Sequence, residues 1–358
     1  MMIKSLLMVV GGLLISLPPS AAADQTIMGA GSSAAAPVFQ VWAREYQKSN
    51  GSRVAYDPSG SSGGMKKIRA REVDFGASDV APPATELTVQ GLVVFPIAIT
   101  GIAPVFNLPR LGDTPLRLTG AVLARIFLGE IRQWNAPEIA QLNPGIRLPA
   151  IPITVVVRSD GSGTTYNFAD YLAKVSATWR EKNGVKTTFA WPEDFLGVKG
   201  SDGVVKGVKG TVGAIGYVDF SYIADNNLST IQLKNAEGEF VKPSNASFRN
   251  ALSSSEWVSN GSFNTTLTNI SGKGAWPITM GTYIVMPLVT ENPEQSQHTL
   301  KFFIWAFVNG DRLVQDSNFV RLPDPVQSSA FKAISSIKDK AGNRIAIAIL
   351  AAAVNAVH

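Results

Sequence analysis

The sequence predicts an α/β protein whose mature chain forms two lobes with largely parallel strands. Segments with the apolar patterns of strands and of helices alternate along the chain, an order typical of parallel sheets with helical connections. The length of 358 residues corresponds to about two domains at ~100–200 residues each. With 45% hydrophobic residues, the chain can bury a sizeable core. We find no internal repeat and no long linker, so we expect no disordered hinge between the lobes.

The N-terminus has the three regions of a secretory signal peptide, which we place at residues 1–23. Lys4 precedes an apolar run at residues 6–17, and small residues follow up to Ala23, where we expect cleavage. The run is 12 residues long, whereas a membrane-spanning helix needs about 20. No cysteine stands at the cleavage site, so no lipid anchor is expected. These features predict export to a periplasm or extracellular space.

Four short segments of the mature chain are predicted to be strands, and two apolar patterns predict helices. The strands are expected at residues 54–56, 73–75, 92–99 and 153–157, with the third closed by Thr100 and Gly101. Helical spacing recurs in two apolar sets, which are Val38, Phe39, Trp42 and Tyr46, and Leu300, Phe303, Ile304 and Phe307.

Four segments rich in glycine and serine are predicted as turns that open helices. They are residues 29–34, 60–64, 74–79 and 158–165. A helix start presents unpaired N–H groups and the positive end of the helix dipole, and glycine lets an anion approach the backbone closely. One such turn is ordinarily a helix cap. Several in one chain, one of them with an arginine, indicate a buried site for a tetrahedral oxyanion.

Arg158, Asp160 and Asp79 give that site its predicted charge pattern. A guanidinium group can bind two oxygens of an anion, and Asp160 would hold Arg158 in place; otherwise Arg158 would be a solvated residue after a strand. Asp79 would repel an anion unless the ligand carries a proton that the carboxylate accepts. Phosphate at neutral pH carries such a proton and sulfate does not. Asp79 would therefore select phosphate if it faces the site.

The remaining composition excludes several chemistries. The chain has no cysteine and only two histidines, His298 and His358, so disulfides, thiolate catalysis and cysteine or histidine metal sites are not expected. No acidic cluster suggests a metal, and no cofactor is predicted. The formal net charge is +5, or +4 once Lys4 is removed with the signal peptide, and the basic residues are dispersed. Nucleic acid is therefore not an expected partner.

One enzymatic alternative is a serine hydrolase. Residues 60–64 match the G-x-S-x-G pattern of a nucleophile elbow between a strand and a helix, which would make Ser62 the nucleophile and His298 its base. The pattern is common in glycine-rich turns, and it does not explain the other three segments. We therefore predict a binding protein rather than an enzyme.

Taken together, these segments resemble the periplasmic phosphate-binding proteins of the high-affinity phosphate ABC transporter (Pst system). The similarity runs from Gly29 to about Lys340. Its most specific parts are residues 29–33 (GAGSS), 60–64 (GSSGG), 73–79 (VDFGASD) and 158–164 (RSDGSGT), supported by 126–130 (IFLGE), 142–145 (LNPG), 213–217 (GAIGY), 275–278 (AWPI) and 300–303 (LKFF).

The resemblance implies a type II periplasmic binding protein fold with phosphate between two lobes, each a mixed, mostly parallel sheet flanked by helices. Lobe I would comprise residues 24–103 and 278–343, and lobe II residues 104–277, while residues 344–358 form an apolar tail outside the family pattern. The implied phosphate-binding residues are Ser33, Ala34, Ser61, Asp79, Arg158, Ser162, Gly163 and Thr164, with Asp160 supporting Arg158.

The resemblance also implies a monomeric periplasmic carrier without catalysis that delivers inorganic phosphate to membrane permease subunits. Two positions depart from the family pattern. The family usually has threonine where Ser33 stands, and serine keeps the hydroxyl. It often has a large apolar residue where Ala34 stands, and the backbone N–H survives that change. A binder of another tetrahedral oxyanion, such as sulfate or molybdate, is the alternative.

Overall fold

In the computed structural model, the described residues are 26–109, 111, 115–310, 313, 318–347 and 349–351. The predicted signal peptide and the last seven residues of the predicted tail (352–358) lie outside this part of the chain. Within the described ranges, no helix is both long and apolar enough to cross a bilayer.

Strands and helices alternate through most of the described chain. The strands are β1 Ile27–Gly31, β2 Val54–Asp57, β3 Phe75–Ser78, β4 Leu92–Phe106, β5 Leu116–Leu118, β6 Thr154–Arg158, β7 Leu196–Val198, β8 Ala214–Asp219, β9 Ser229–Lys234, β10 Phe240–Val241 and β11 Thr279–Pro287. The helices are α1 Ala36–Asn50, α2 Ser61–Arg69, α3 Ala84–Gln90, α4 Gly120–Phe127, α5 Pro137–Ala140, α6 Gly163–Val175, α7 Ala177–Lys182, α8 Gly200–Gly210, α9 Ile223–Asn226, α10 Asn245–Ser253, α11 Glu256–Ser259, α12 Pro293–Asn309 and α13 Asp324–Ser335, with a 3-10 turn at Phe220–Tyr222.

The strands follow the order β2-β1-β3-β11-β4-β8-β6-β7. The long strand β4 changes partner within its length: residues 92–101 pair with β11 and residues 102–106 pair with β8. We call β2, β1, β3, β11 and the first part of β4 sheet I, and the strands that follow the change of partner sheet II. The strand β4 therefore belongs to both sheets, and it joins them without a loop.

Both sheets are mixed. In sheet I, β1 pairs in parallel with β2 and β3, whereas β11 is antiparallel to β3 and β4. In sheet II, β6 is parallel to β7 and β8, β8 is antiparallel to β4, and β9 joins β4, β5 and β10. Helices separate most parallel neighbours along the chain, and the predicted α/β class is confirmed.

The two apolar patterns predicted as helices are α1 and α12, and all eight marker side chains are buried. They form one aromatic core with sheet I. The Phe39 ring stacks on Tyr56 with centroids 4.3 Å apart, and Phe303 meets the edges of Phe75 and Phe95. Such aromatic pairs stabilise a core beyond simple area burial, so these helices fix the positions of β1 and β3.

Two strand predictions need correction. The strand predicted at residues 73–75 is found further along, as β3. At Asp74 the side-chain Oδ2 accepts the hydrogen bond of the Met28 N–H (2.7 Å), whereas in a regular strand pair a backbone carbonyl would accept it. The end predicted at Thr100 and Gly101 is also wrong, since β4 continues to Phe106. Gly101 allows close packing rather than a turn: a Cβ there would lie 2.1 Å from the Phe248 ring.

One predicted helix-opening turn is also wrong. Residues 74–79 form β3 and the residue that follows it, and the next helix, α3, begins only at Ala84 after Pro82 and Pro83. Proline disfavours helical backbone in the residue before it, which explains the delay. The segments at 29–34, 60–64 and 158–165 do lead into α1, α2 and α6.

Candidate anion-binding site

The turn between β1 and α1 carries the first two predicted binding residues, Ser33 and Ala34. Both are buried, and among the described residues neither backbone N–H has a hydrogen-bond acceptor. The Ser33 hydroxyl lies 3.0 Å from Ser201 Oγ, and the Ser33 carbonyl accepts a hydrogen bond from Tyr222 Oη (2.7 Å). Two N–H groups are thus available at the helix start, where the dipole favours an anion.

Ser61 is the first residue of α2 and links three segments of the site. Gly60 has φ 84°, a left-handed conformation that favours glycine, and it turns the chain from β2 into the helix. The Ser61 hydroxyl oxygen accepts the N–H groups of Gly163 and Asp79, each at 3.2 Å. Its position therefore depends on both sheets.

Asp79 follows β3, and its carboxylate is buried. Oδ2 accepts from the hydroxyls of Ser32 (2.6 Å) and Ser61 (3.5 Å), and Oδ1 accepts from Thr282 Oγ1 (2.8 Å). Burial raises the pKa of Asp79, while the hydroxyl donors and the charge of Arg158 lower it. The carboxylate is thus a buried acceptor surrounded by donors.

Arg158 ends β6, and its side chain is only 2% exposed. Nε donates to Asp160 Oδ1 at 2.6 Å and Nη2 donates to Oδ2, so the guanidinium is held by a two-point contact. Asp160 Oδ1 also accepts the Gly200 N–H (3.0 Å). Although burial raises the pKa of Asp160, these contacts hold it below its usual value. Arg158 Nη1 has no acceptor among the described residues and can bind a ligand.

The start of α6 supplies the remaining predicted residues. Ser162 caps the helix, its oxygen accepting the Thr165 N–H at 3.1 Å, and its O–H can still donate. The Thr164 N–H has no acceptor within the described part of the chain. Gly163 lies so close to sheet I that a Cβ would be 2.5 Å from Ser61 Oγ and 2.7 Å from Asp79 Cβ. Here glycine permits the contact between the two sheets.

Direct hydrogen bonds connect the residues of the two sheets around this site. Ser62 N donates to the Gly161 carbonyl (3.0 Å), and Asn167 Nδ2 donates to the Asp79 carbonyl (2.7 Å). The structure thereby brings all nine predicted residues together in one buried region, with Asp160 the only half-buried one of the nine. The arrangement has free N–H groups, one free guanidinium nitrogen and, besides the Asp160 carboxylate that pairs with Arg158, the carboxylate of Asp79. This set suits an oxyanion that carries a proton.

Sequence reasoning missed five polar residues of this region. They are Ser32, Thr282, Ser201, Tyr222 and Asn167, which bond Asp79, Ser33 or Gly163. Ser32 was detectable, because it lies in the same glycine-serine turn as Ser33. Asn167 was also detectable, because it lies one helical turn after Gly163 in α6 and donates to its carbonyl. Ser201, Tyr222 and Thr282 lie in other segments, and no spacing in the chain relates them to the site.

The hydrolase constellation is not formed. The Ser62 hydroxyl has Thr187 Oγ1 as its neighbour at 3.4 Å, and His298 lies in α12, with no hydrogen bond between Ser62 and His298. Among the described residues, no three His, Asp or Glu side chains gather as metal ligands.

The chain is similar to known binding proteins in sequence and in fold. The family model of the PBP superfamily domain matches residues 17–308. The phosphate-binding protein PstS of Xylella fastidiosa (strain Temecula1) is 44% identical over 308 residues, covering 86% of this chain and 84% of the relative. PstS of Haemophilus influenzae is 41% identical over 304 residues, covering 85% and 91%.

Solved structures show the same fold at lower identity. A high-affinity periplasmic phosphate-binding protein (PfluDING) bound with phosphate matches with a TM-score of 0.66 at 20% identity, over 87% of this chain and 99% of the other. A phosphate-binding protein from Stenotrophomonas maltophilia matches with a TM-score of 0.62 at 20% identity, over 85% and 92%. The predicted type II periplasmic binding protein fold is confirmed.

Proposed function

Because this chain belongs to the PstS family of phosphate-binding proteins, we propose that it binds inorganic phosphate reversibly and delivers it to an ABC transporter in the membrane. The observation that carries this proposal is the pairing of a buried acceptor, Asp79, with free donors at one site. A ligand there must accept hydrogen bonds from most sides and donate one to a carboxylate. Protonated phosphate meets both conditions, and sulfate meets only the first.

We assign the contacts as follows. The N–H groups of Ser33, Ala34 and Thr164 and the guanidinium of Arg158 donate to phosphate oxygens, helped by the hydroxyls of Ser61 and Ser162 and the helix start at Gly163. Asp160 holds Arg158 in place. Asp79 accepts a hydrogen bond from the protonated oxygen of the ligand. A fully ionised anion has no such proton, so it would leave two like charges facing each other in a buried site.

We further propose that the two sheets are the cores of two lobes. Lobe I is residues 24–103 and 278–343, and lobe II is residues 104–277. The change of partner in β4 between Gly101 and Ile102 supports this division, as does the position of β11 in sheet I. Ligand between the lobes would favour the closed form, because only that form completes its set of hydrogen bonds.

The cellular role follows from the same proposal. A signal peptide at residues 1–23 without a cysteine at its cleavage site would release a monomeric carrier into the periplasm, where its closed complex would dock on the permease subunits. We propose no catalytic step, because the Ser62 hydroxyl is hydrogen-bonded to Thr187 Oγ1 and, among the described residues, to no histidine or carboxylate.

The variant Asp79→Asn tests the proposed ligand contact. The neutral amide can donate to a fully ionised oxygen, so we expect sulfate binding to appear and the preference for phosphate to fall by roughly 10- to 100-fold, the value of one hydrogen bond to a charged group. Calorimetric titration with both anions measures this. Ser62→Ala, outside the proposed contacts, serves as the control. Full discrimination in Asp79→Asn would remove the role assigned to Asp79.

A further inference from the structure

Among the described residues, Ser32 makes the shortest hydrogen bond to Asp79, and it is not one of the proposed phosphate ligands. Its hydroxyl donates to Asp79 Oδ2 at 2.6 Å, and the residue is 1% exposed. The backbone of Ser32 is held on both sides, since its N–H donates to the Ala77 carbonyl (2.9 Å) and its carbonyl accepts from Tyr56 Oη (2.7 Å). Contacts within the protein therefore hold the hydroxyl next to Asp79.

The direction of this hydrogen bond follows from the neighbours of the hydroxyl. Ser32 Oγ lies 3.4 Å from the Ala35 N–H, which can only donate, so the single proton of the hydroxyl is available for Asp79. The other carboxylate oxygen, Oδ1, accepts from Thr282 Oγ1 on β11. Each oxygen of Asp79 thus has its own hydroxyl donor, and these donors come from distant parts of the chain.

These donors act against the effect of burial. Burial raises the pKa of Asp79, and the Ser32 hydroxyl is the largest of the contributions that lower it, followed by Thr282, Arg158 and Ser61. The other titratable groups that interact with Asp79 are Asp219, Tyr56 and Tyr283. Arg158 is the only cation among these groups, and Asp160 occupies two of its nitrogens.

We propose that Ser32 is a positioning residue that keeps Asp79 an ionised acceptor, and that it thereby sets the pH below which the site no longer distinguishes protonated from fully ionised oxyanions. This inference rests on the proposed phosphate-binding function. It assigns a selectivity role to a residue that need not touch the ligand.

The hydrogen bond between Asp79 and the bound anion needs one proton, which either of the two groups can supply. While Asp79 is ionised, the ligand must supply the proton of their shared hydrogen bond, which sulfate cannot do. Once Asp79 is protonated, it can donate to a sulfate oxygen, and discrimination ends. Loss of the Ser32 hydroxyl raises the pKa of Asp79, so this transition moves to higher pH.

The test is a set of phosphate and sulfate titrations between about pH 5 and pH 8 on wild type and Ser32→Ala. We expect the pH at which sulfate binding appears to rise by about one to two units in Ser32→Ala, since a hydrogen bond to a charged group is worth about 1.5–3 kcal/mol and one pKa unit about 1.4 kcal/mol. At pH 8 phosphate affinity should stay within about threefold of wild type, because the Ser32 side chain is not among the proposed phosphate contacts.

A second pair of variants keeps the inference testable if Ser32→Ala folds poorly. Thr282→Val removes the donor to Oδ1 and should shift the profile in the same direction, whereas Thr282→Ser keeps the hydroxyl and should match wild type. Superimposable pH profiles would overturn the inference, as would an equal loss of both anions at every pH. If wild type itself fails to bind phosphate, the proposed function falls; if wild type is selective and the variants do not shift, only the role of Ser32 falls.

Discussion

Two buried carboxylates, Asp79 and Asp219, interact near the crossing between the two sheets. Asp219 ends β8, and its Oδ1 caps the following turn by accepting the Ser221 N–H at 2.8 Å. Its Oδ2 has no hydrogen-bond partner among the described residues. Burial raises the pKa of Asp219 to about 7, and the charge of Asp79 also raises it. Each oxygen of Asp79 has a hydroxyl donor, whereas Oδ2 of Asp219 has none among the described residues, so hydrogen bonding favours the charge on Asp79.

Asp219 gives the folded protein a pH-dependent stability. In the unfolded chain its carboxyl ionises near pH 4, whereas the folded protein keeps the proton up to about pH 7. The folded state therefore binds more protons in this window, and its contribution to the free energy of unfolding falls as pH rises from about 4 to about 7. Asp219→Asn removes this loss and should be about 2–4 kcal/mol more stable than wild type at pH 8, with the difference vanishing near pH 4.

Denaturant unfolding at several pH values measures the Asp219 effect. The exposed Asp225→Asn should follow the wild-type profile and is the matched control. An Asp219→Asn profile parallel to that of wild type would show that Asp219 is ionised in the folded protein.

For individual residues, the sequence predicted the ion pair of Arg158 with Asp160 but not the hydrogen-bond partners of Asp79. Arg158 and Asp160 are two residues apart, so their contact is visible in the chain. Asp79 is bonded by Ser32 and Thr282, which lie 47 and 203 residues away. Such contacts depend on the strand order β1-β3-β11, which residue spacing alone does not reveal.

At the level of elements, the starts of α1, α2 and α6 meet because glycine allows their turns to approach. The sequence predicted these three helix starts from their glycine and serine content. It misassigned residues 74–79, because strand and turn patterns both accommodate small residues in a short buried segment. The continuation of β4 past Gly101 was also missed, because a glycine required by packing against Phe248 is indistinguishable in sequence from a turn glycine.

At Gly161, one added methyl group should disturb the contact between the turn before α6 and the start of α2. A Cβ there would lie 2.3 Å from the Ser62 Cβ and Oγ. Gly161→Ala should therefore weaken phosphate binding by about tenfold or more, since overpacking costs about 1–3 kcal/mol, while each sheet keeps its own core. Titration calorimetry measures the affinity, and circular dichroism checks the fold.

Two variants control the Gly161 experiment. Gly210→Ala, where a Cβ meets nothing within 4 Å, should bind like wild type. Adding Ser62→Gly to Gly161→Ala removes the opposing side chain and should restore part of the affinity. Wild-type affinity in Gly161→Ala alone would show that this contact is not part of the ligand-bound form.

At the scale of the whole molecule, two strands connect regions that are far apart in the sequence. Sheet I contains β1, β2 and β3 from the start of the chain and β11 from near its end, and β4 continues directly into sheet II. Alternating strand and helix patterns predicted the α/β class, but the discontinuous division came from the resemblance to a family. A return of the chain after about 170 residues leaves no local pattern, so spacing and composition could not reveal it.

The proposed site binds phosphate and requires the proton that phosphate carries. Its most direct test is a calorimetric titration of the wild-type protein with phosphate and with sulfate at neutral pH and the same ionic strength. We expect saturable binding of phosphate with one site per chain. We expect the affinity for sulfate to be weaker by about 100-fold or more, because a buried carboxylate would face an anion that has no proton to donate. Equal affinity for the two anions, or no binding of phosphate, would contradict it.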